Sequence, residues 1–295
     1  MSTLDKYPRI SVVIPSFNQG QYIEETILSV IGQRYPNLEI IVIDGGSTDN
    51  TVEIIENYSS ELFYWHSKKD QGQADAINQG INLSSGEILC WLNSDDMYLP
   101  GTLLDIGKRF YKLVNESYLA YGAAVTINQM AGNLQGSSAT GAPFDPLRLT
   151  YFDYIVQPSS FWTRKLWSST GELDINYKYV LDWEWFIRAS RIAKFEYVPR
   201  FYSICRFHPL HKTSLGGDER RKEILEVIKK FASDYWIELY AETENCYHPL
   251  TKTRNFLKSC KIPRAHLIVP FLFPKILYKM QKFQDFMEAW VMMGF

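Results

Sequence analysis

Two short acidic stretches, each directly after an apolar run, are the residues of this chain best suited to chemistry. Asp95 and Asp96 close the stretch WLNSDD at residues 91–96, and Asp44 opens DGGSTD at residues 44–49. If both apolar runs are buried strands, these acids lie at one edge of a sheet, and ligands of open α/β sheets bind at that carboxyl edge. Acids gathered there need a cation, and a divalent metal carrying a diphosphate satisfies that need.

The apolar pattern predicts the elements that position these acids. Apolar runs over residues 10–14, 38–43, 62–65 and 87–92 predict four strands. The run at 38–43 implies a strand that is buried on both faces, as in a parallel sheet. Helical spacing predicts helices over residues 21–33 and 73–83, with another helix after Ser47 or Thr48, either of which can cap it. Strands alternating with helices predict an α/β fold, a doubly wound, mixed and mostly parallel sheet flanked by helices.

The later part of the chain predicts a second half of the same domain and a helical extension. Expected elements are a helix over residues 100–113, a strand over 118–127, a loop or hairpin over 128–146, strands near 155–162 and 195–204, and helices over 182–192 and 219–240. We predict a catalytic domain over residues 1–215, with a nucleotide-sugar half to about 115 and an acceptor half from 116, and a C-terminal helical extension over 216–295.

Composition excludes several classes of protein. The chain has 31 Lys and Arg against 33 Asp and Glu, and a net charge of −2 argues against a nucleic-acid binder that works through bulk charge. The four cysteines are far apart, which argues against a disulfide framework or a zinc site. The first nine residues are polar and no apolar stretch is long enough to span a bilayer, so we expect a cytoplasmic protein.

Four motifs in order resemble those of the family 2 glycosyltransferases, which are inverting enzymes with the GT-A fold. The resemblance covers residues 10–214. The motifs are VIPSFN at residues 13–18, DGGSTD at 44–49, DQGQADAINQG at 70–80 and NSDD at 93–96. Each motif alone is modest evidence, whereas all four in this order are specific.

The resemblance implies which residues bind the nucleotide sugar. Pro15, Ser16 and Asn18 would cradle the base and the ribose, although a plain strand-to-helix turn also favours these residue types. Asp44 would accept the N3–H of uracil, although a helix-capping loop explains the same segment. The remaining contacts would come from Gln73, Asp75, Asn78, Asn93 and Ser94. For Asp75 and Asn78 the alternative is a solvated helix face.

The same resemblance assigns the metal. Asp95 holds the last place of the family's DXD motif and is the predicted ligand of Mn or Mg, while Asn93 replaces the first aspartate of that motif. His208 or His211 would complete the ligand set, and Arg206 or Lys212 would hold the diphosphate. A surface histidine without such a role is the alternative, and Asp96 is also suited to cap a helix.

Asp182 matches the family's catalytic base. At helical spacing it shares a face with Trp185, Phe186 and Ala189, and burial raises the pKa of an acid toward that of a useful base. An N-cap role for Asp182 is the alternative. Glu184 is expected to pair with Arg188 or Arg191 and to face solvent. The predicted acceptor side comprises Gln157, Pro158 and Glu184.

These predictions describe a metal-dependent transferase that moves a sugar from a nucleotide sugar, with UDP as the expected nucleotide, to a saccharide or lipid-linked saccharide in surface polysaccharide synthesis. A sugar-nucleotide-binding protein without turnover is one alternative. A nucleotidyltransferase is another, but it would carry a cation in the loop after the first strand, where residues 15–20 read PSFNQG.

The last forty residues alternate basic and apolar side chains. Lys258, Lys261, Arg264, Lys275, Lys279 and Lys282 are interleaved with Leu267, Phe271, Leu272 and Leu277, and Pro270 and Pro274 interrupt any single long helix. Two interpretations stay open. The segment contacts an anionic membrane at its cytoplasmic face, or it packs as a helical pair on the rest of the protein.

Overall fold

The computed structural model of the chain describes residues 7–129, 135–139, 141–209, 211–260 and 268–294. The strands are β1 (Ile10–Ser16), β2 (Leu38–Asp44), β3 (Tyr64–Ser67), β4 (Ile88–Trp91), β5 (Met97–Tyr98), β6 (Tyr118–Asn128), β7 (Gln135–Ala139), β8 (Ser160–Thr163) and β9 (Lys194–Phe207). The helices are α1 (Ile23–Ile31), α2 (Thr51–Asn57), α3 (Gln73–Leu83), α4 (Thr102–Phe110), α5 (Pro146–Leu149), α6 (Arg164–Thr170), α7 (Leu181–Ser190), α8 (Lys212–Leu215), α9 (Gly217–Phe231), α10 (Asp234–Asn245), α11 (Tyr247–Ser259), α12 (Pro274–Lys279) and α13 (Phe283–Met292).

The strands form one mixed sheet in the order β3-β2-β1-β4-β8-β6-β9-β5, with β7 paired to β6. The ladders β3-β2-β1-β4 and β6-β9 are parallel and contain most of the paired residues. β8 is antiparallel to both β4 and β6, so it joins the two parallel parts. This arrangement confirms the predicted α/β class with a mixed sheet between helices.

Strands β1, β2 and β4 are buried on both faces, as their apolar runs predict, whereas the edge strand β3 is partly exposed. In β1, Val12, Val13 and Ile14 are all inaccessible to solvent. Pro15 has no N–H to donate to a neighbouring strand. This central strand tolerates it because the ladder with β4 ends at Val13 and Trp91, so no hydrogen bond to β4 is lost. The strand therefore continues to Ser16 and delivers the following loop to the carboxyl edge.

Two predicted elements differ from the structure. The strand expected from residue 155 begins only at Ser160, because Gln157–Ser159 forms a 3₁₀ turn around Pro158, whose ring fixes φ and removes a donor. The helix expected over residues 219–240 is two helices, α9 and α10, separated by Ala232 and Ser233 in extended conformations. Ser233 occupies the N-cap position of α10, which that residue type favours.

The backbone divides into two compact units. The first contains the described residues up to 144 together with 154–211 and holds the sheet. The second contains residues 145–153 and the described residues from 212 onward. The predicted domain boundary after residue 215 stays a prediction, because compactness of the backbone does not establish independent domains.

The second unit is helical over the residues described. Its helix α10 packs against α9, α12 and α13, and the ring of Tyr151 stacks on Trp236 with centroids 3.7 Å apart. Lys261, Arg264 and Leu267 of the basic, apolar segment lie outside the described residues. Among the helices that are described, none has the length and apolar character needed to cross a bilayer.

Candidate active site

The loops that follow β1 and β2 are hydrogen-bonded to each other at the carboxyl edge. Asn18 adopts a left-handed conformation with φ of +52°. Its side-chain Oδ1 accepts from the Thr48 N–H at 2.9 Å, and its N–H donates to Ser47 Oγ at 2.7 Å. Pro15 and Ser16 are buried, and Ser16 Oγ has no hydrogen-bond partner among the residues described. The predicted base-binding segment thus has a fixed conformation.

Asp44 is fully buried at the end of β2 and organises its own loop. Its Oδ2 accepts from the N–H groups of Gly46 and Ser47 and from Ser67 Oγ, at 2.6–3.1 Å. Its Oδ1 accepts from Ser47 Oγ at 2.5 Å. A carboxylate has about four lone-pair positions, so these four donors occupy it, and a contact with the nucleotide base stays a prediction.

Asp70 is a carboxylate at the same edge to which the sequence analysis gave no role. Its Oδ1 accepts from the Gly72 N–H at 2.8 Å, and its Oδ2 lies so close to Gly45 that a Cβ on that glycine would come within 2.9 Å. Partial burial raises the pKa of Asp70, and the nearby Asp75 and Asp44 raise it further. The DQGQ motif contained this signal, because its acid directly precedes the turn into α3.

Helix α3 contributes predicted contacts of two different kinds. Gln73 Nε2 donates to Asn93 Oδ1 at 2.7 Å, which ties the start of α3 to the loop after β4. Asp75 is half-buried and accepts from the Gln71 N–H and from Gln79 Nε2, at 2.9 and 3.0 Å. Gln73 and Asn93, both predicted to bind the nucleotide sugar, are therefore neighbours.

Asn78 is committed to the backbone of a distant segment. It is only 5% exposed, its Nδ2 donates to the Leu173 carbonyl at 2.9 Å, and its Oδ1 accepts from the Leu173 N–H at 3.0 Å. Both functions of the amide are used, so the solvated-face interpretation is wrong for Asn78. In this structure the residue positions the segment before α7.

A side chain of helix α1 is hydrogen-bonded to the loop after β4. Thr26 Oγ1 donates to the carbonyls of Ser94 and Asp96, at 2.9 and 2.7 Å. Asp96 is 6% exposed, and its carboxylate accepts from the Arg206 N–H and from Asn93 Nδ2. Burial raises the pKa of Asp96 well above its usual value, and the charge of Asp95 raises it further.

Asp95 contacts the histidine that directly follows β9. His208 Nε2 lies 3.0 Å from Asp95 Oδ2, and the His208 ring lies against Tyr22 with centroids 4.5 Å apart. The pairing of β5 with β9 carries the end of β9 to this loop. His208 is 1% exposed, and its Nδ1 has no hydrogen-bond partner among the described residues. The surface-histidine interpretation is therefore wrong.

Arg206, expected to hold the diphosphate, contacts residues of helix α1 and of the segment before it, and a diphosphate contact stays a prediction. Its guanidinium bonds to Glu25 Oε2 at 2.5 Å, lies over the Tyr22 ring and is 4% exposed. The residue therefore packs the end of β9 onto α1. Arg206 and His208 both pack on Tyr22, so Arg206 helps to fix the position of His208.

The donor set at Asp95 and His208 fits a divalent cation that brings its own ligands. The described residues contain no cluster of three or more His, Cys, Asp or Glu side chains that could hold a metal ion. One carboxylate and one imidazole lie side by side, and phosphate oxygens would supply further positions. A cation of this kind is bound together with its substrate instead of in an all-protein cage.

Asp182 lies in the first turn of α7, half-buried. Its Oδ1 accepts from the Trp183 N–H at 2.9 Å, whereas Val180 occupies the N-cap position, so the N-cap alternative is wrong. Rings hold the helix in place, since Trp185 packs on Trp162 and Trp167 with centroids 5.0 and 5.3 Å apart. Convergence of Asp182 with Asp44 and Asp95 stays a prediction.

The residues predicted for the acceptor side are buried. Glu184 pairs with Arg188 at 2.9 Å as expected, but it is 1% exposed, so the expectation that it faces solvent is wrong. The 3₁₀ turn places Gln157 at the end of β4, where its Nε2 donates to the Trp91 carbonyl at 3.0 Å. Gln157 Oε1 has no partner among the described residues, and Pro158 is buried.

Sequence comparison identifies the family of this α/β protein. The model of Glycosyl transferase family 2 matches residues 11–159, so the chain belongs to that family. A PGL/p-HBAD biosynthesis glycosyltransferase of Mycobacterium tuberculosis is 30% identical over 61% of this chain and 69% of its own length. The chain spans at most 40% of the length of the Rickettsia glycosyltransferases that it matches.

Solved structures confirm the GT-A type of fold. Staphylococcus aureus TarS 1–349 in complex with UDP-GlcNAc has a TM-score of 0.58 at 19% identity, over 95% of this chain and 81% of that one. The mannosyltransferase PcManGT of Pyrobaculum calidifontis, in complex with GDP-Man and Mn²⁺, has a TM-score of 0.59 at 15% identity, over 97% and 87%.

Proposed function

We propose that the protein is an inverting, metal-dependent glycosyltransferase that transfers a sugar from a nucleotide sugar to a saccharide or lipid-linked saccharide. The observation that carries this proposal is the contact of Asp95 with His208 at the carboxyl end of β4, in a chain of family 2. Two potential metal ligands meet where that fold binds its ligand.

The donor proposed is a UDP-sugar. TarS, which shares the fold, is bound to UDP-GlcNAc, and PcManGT is bound to GDP-Man. A half-buried acceptor such as Asp70 beside the β2 loop suits an N–H donor on a base, which both uracil and guanine possess. The screen of donors must therefore contain both nucleotides.

The residues have distinct tasks in transfer. A bound Mn or Mg would supply positive charge against the negative charge that grows on the departing diphosphate. Asp95 and His208 would hold that cation. Asn93 would bond to a water on the cation or to the ribose of the nucleotide. Asp182 would accept the proton of the acceptor hydroxyl as its oxygen bonds to the anomeric carbon, while the bond from that carbon to the diphosphate breaks. A single base opposite the leaving group gives inversion.

The acceptor proposed is a growing surface polysaccharide or a lipid-linked sugar. The name of the Mycobacterium relative places that protein in PGL/p-HBAD biosynthesis, which supports a biosynthetic role. Gln157 is the candidate acceptor contact, because its Oε1 has no partner among the described residues.

Release of nucleoside diphosphate from UDP-Glc, UDP-Gal, UDP-GlcNAc and GDP-Man, with Mn²⁺ and with EDTA, tests the proposal. We expect metal-dependent release from one donor and its loss in Asp95→Ala. Asp105→Asn is the control, because Asp105 pairs with Arg200 on another part of the first unit. Pyrophosphate release from a nucleoside triphosphate would instead indicate a nucleotidyltransferase, and binding of a donor without release would indicate a binding protein.

A further inference from the structure

The second unit exposes apolar side chains over a short stretch, residues 268–278, here called the 268–278 patch. Five of the large apolar side chains that are exposed in this structure fall within it, and Tyr278 is 87% exposed. They are Ile268, Phe271, Leu272, Leu277 and Tyr278. Contiguous exposed apolar surface of this kind marks an interaction site.

The patch belongs to a packed part of the unit. Val269 and Ile276 are fully buried beneath it, and α12 packs against α10. Lys279 of α12 bonds to Glu238 of α10 at 2.5 Å. Helix α12 therefore has apolar residues on its inner face, where they pack, and apolar residues on its outer face, where they contact solvent.

The apolar surface continues beyond the patch. The ring of Phe271 stacks on Phe283 of α13 with centroids 6.2 Å apart. Phe283 in turn lines an apolar groove together with Phe152, Met287 and Val291. A partner of the patch would thus meet a broad surface formed by several elements of the unit.

The stretch of sequence that contains the patch carries basic side chains and no acidic ones. Residues 246–284 contain eight Lys and Arg and no Asp or Glu, although the whole chain has a net charge of −2. Lys275 and Lys282, on either side of Tyr278, are exposed. Basic side chains next to exposed aromatic and aliphatic ones are the combination that binds an anionic lipid surface.

We propose that the 268–278 patch docks on the surface of an anionic phospholipid bilayer, with Leu272, Leu277 and Tyr278 entering the headgroup region and Lys275 and Lys282 contacting lipid phosphates. A second copy of the chain fits less well, because two such faces would bring like charges together. The inference rests on the proposed function in one respect, the lipid-linked acceptor, because a lipid-linked saccharide lies in a bilayer.

Co-sedimentation of the full chain with vesicles tests this inference. Vesicles of phosphatidylcholine are compared with vesicles that also contain phosphatidylglycerol, at low and at high salt. We expect binding that needs the anionic lipid and weakens with salt. Lys275→Glu with Lys282→Glu should reduce binding by about tenfold or more, and Leu272→Ser with Tyr278→Ser should reduce it similarly.

Tyr111→Ser with Lys112→Glu is the matched control, because both residues are exposed on the first unit, and it should bind as the wild type does. Equal binding to both vesicle types, or unchanged binding of both patch variants, would overturn the inference. A dimer in the absence of lipid that the patch variants dissociate would overturn it too. Thermal unfolding confirms that each variant is folded, and diphosphate release without vesicles tests the proposed function separately.

Discussion

His208 Nε2, directly after the last strand, lies 3.0 Å from Asp95 Oδ2 of the loop after β4, although 113 residues separate them in the chain. Tyr22 packs against the imidazole ring, and Arg206 packs on the same tyrosine. The contact therefore depends on α1, β4 and β9 together. It joins the nucleotide-sugar half predicted from the sequence to the end of the acceptor half.

Replacement of His208 should weaken metal-dependent binding of UDP. In His208→Ala the cation would lose its nitrogen ligand, so we expect the affinity for UDP in Mn²⁺ to fall by about 10- to 100-fold. Affinity in EDTA should not change. Isothermal titration calorimetry measures both values, and His248→Ala, an exposed histidine of the second unit, is the control.

If the UDP affinity of His208→Ala keeps its full dependence on Mn²⁺, the imidazole only orients Asp95 and is not a ligand. His208→Gln separates the two roles further. A glutamine can bond to Asp95 but adds no imidazole nitrogen, so it should restore stability without restoring metal-dependent affinity.

Asp182→Asn should abolish transfer but leave binding of the donor nearly intact. The amide keeps an acceptor for the Trp183 N–H but cannot take a proton from the acceptor hydroxyl. General-base catalysis contributes about 10²- to 10⁴-fold, so kcat should fall in that range. Steady-state kinetics and a UDP-sugar titration test this, with Asp174→Asn as the control. Loss of donor binding would assign Asp182 a structural role instead.

The parallel strands and the edge that they form were predictable from sequence. Unbroken apolar runs specify burial on both faces, and α3 has the predicted bounds of residues 73–83. The position of Asp44 and Asp95 at strand ends follows from the same pattern. Local patterning is sufficient here because the apolar run of each strand and the apolar stripe of each helix are continuous in the sequence.

Side-chain pairing between distant elements was not predictable. Asp44 is occupied by donors from its own loop and from Ser67, 23 residues later, and this depends on the register of β2 with β3. Glu184 was expected to face solvent because of its helical spacing to Arg188. Glu184 is buried while Arg188 stays partly exposed, since α7 packs its tryptophans into the core. The helical spacing of two charged residues identifies the ion pair but does not indicate how deeply its members are buried.

Asn78→Ala should destabilise the fold without affecting the binding of UDP. The substitution leaves the N–H and the carbonyl of Leu173 buried without their partner, and we expect a loss of about 2 to 3 kcal/mol in the free energy of unfolding. Urea unfolding measures it. Asn82→Ala is the control one turn along the same stripe, where an exposed amide bonds to Glu172 Oε1. A fall in UDP affinity at unchanged stability would restore the predicted nucleotide contact.

Glu39 should make stability depend on acid pH. It is 3% exposed at the other end of β2 from Asp44, and its carboxylate accepts from Ser11 Oγ and from the N–H and Oγ of Ser85. Burial alone would raise the pKa of Glu39, but these hydrogen bonds outweigh it and the pKa is lowered from 4.5. Its contribution to stability is therefore complete above about pH 4.5 and is lost as the pH falls through the lower pKa of the folded state.

Glu39→Gln removes this titration, so the free energy of unfolding should change less steeply below pH 4.5 than in the wild type. At pH 7 the variant should be less stable by about 2 kcal/mol, because an amide replaces one charged acceptor with a donor that faces Ser11 or Ser85. Urea unfolding between pH 3 and 7 measures both effects. Glu87→Gln, an exposed carboxylate that accepts from the N–H of neighbouring Arg9, is the control. A slope in Glu39→Gln equal to that of the wild type would show that other carboxylates carry the acid sensitivity.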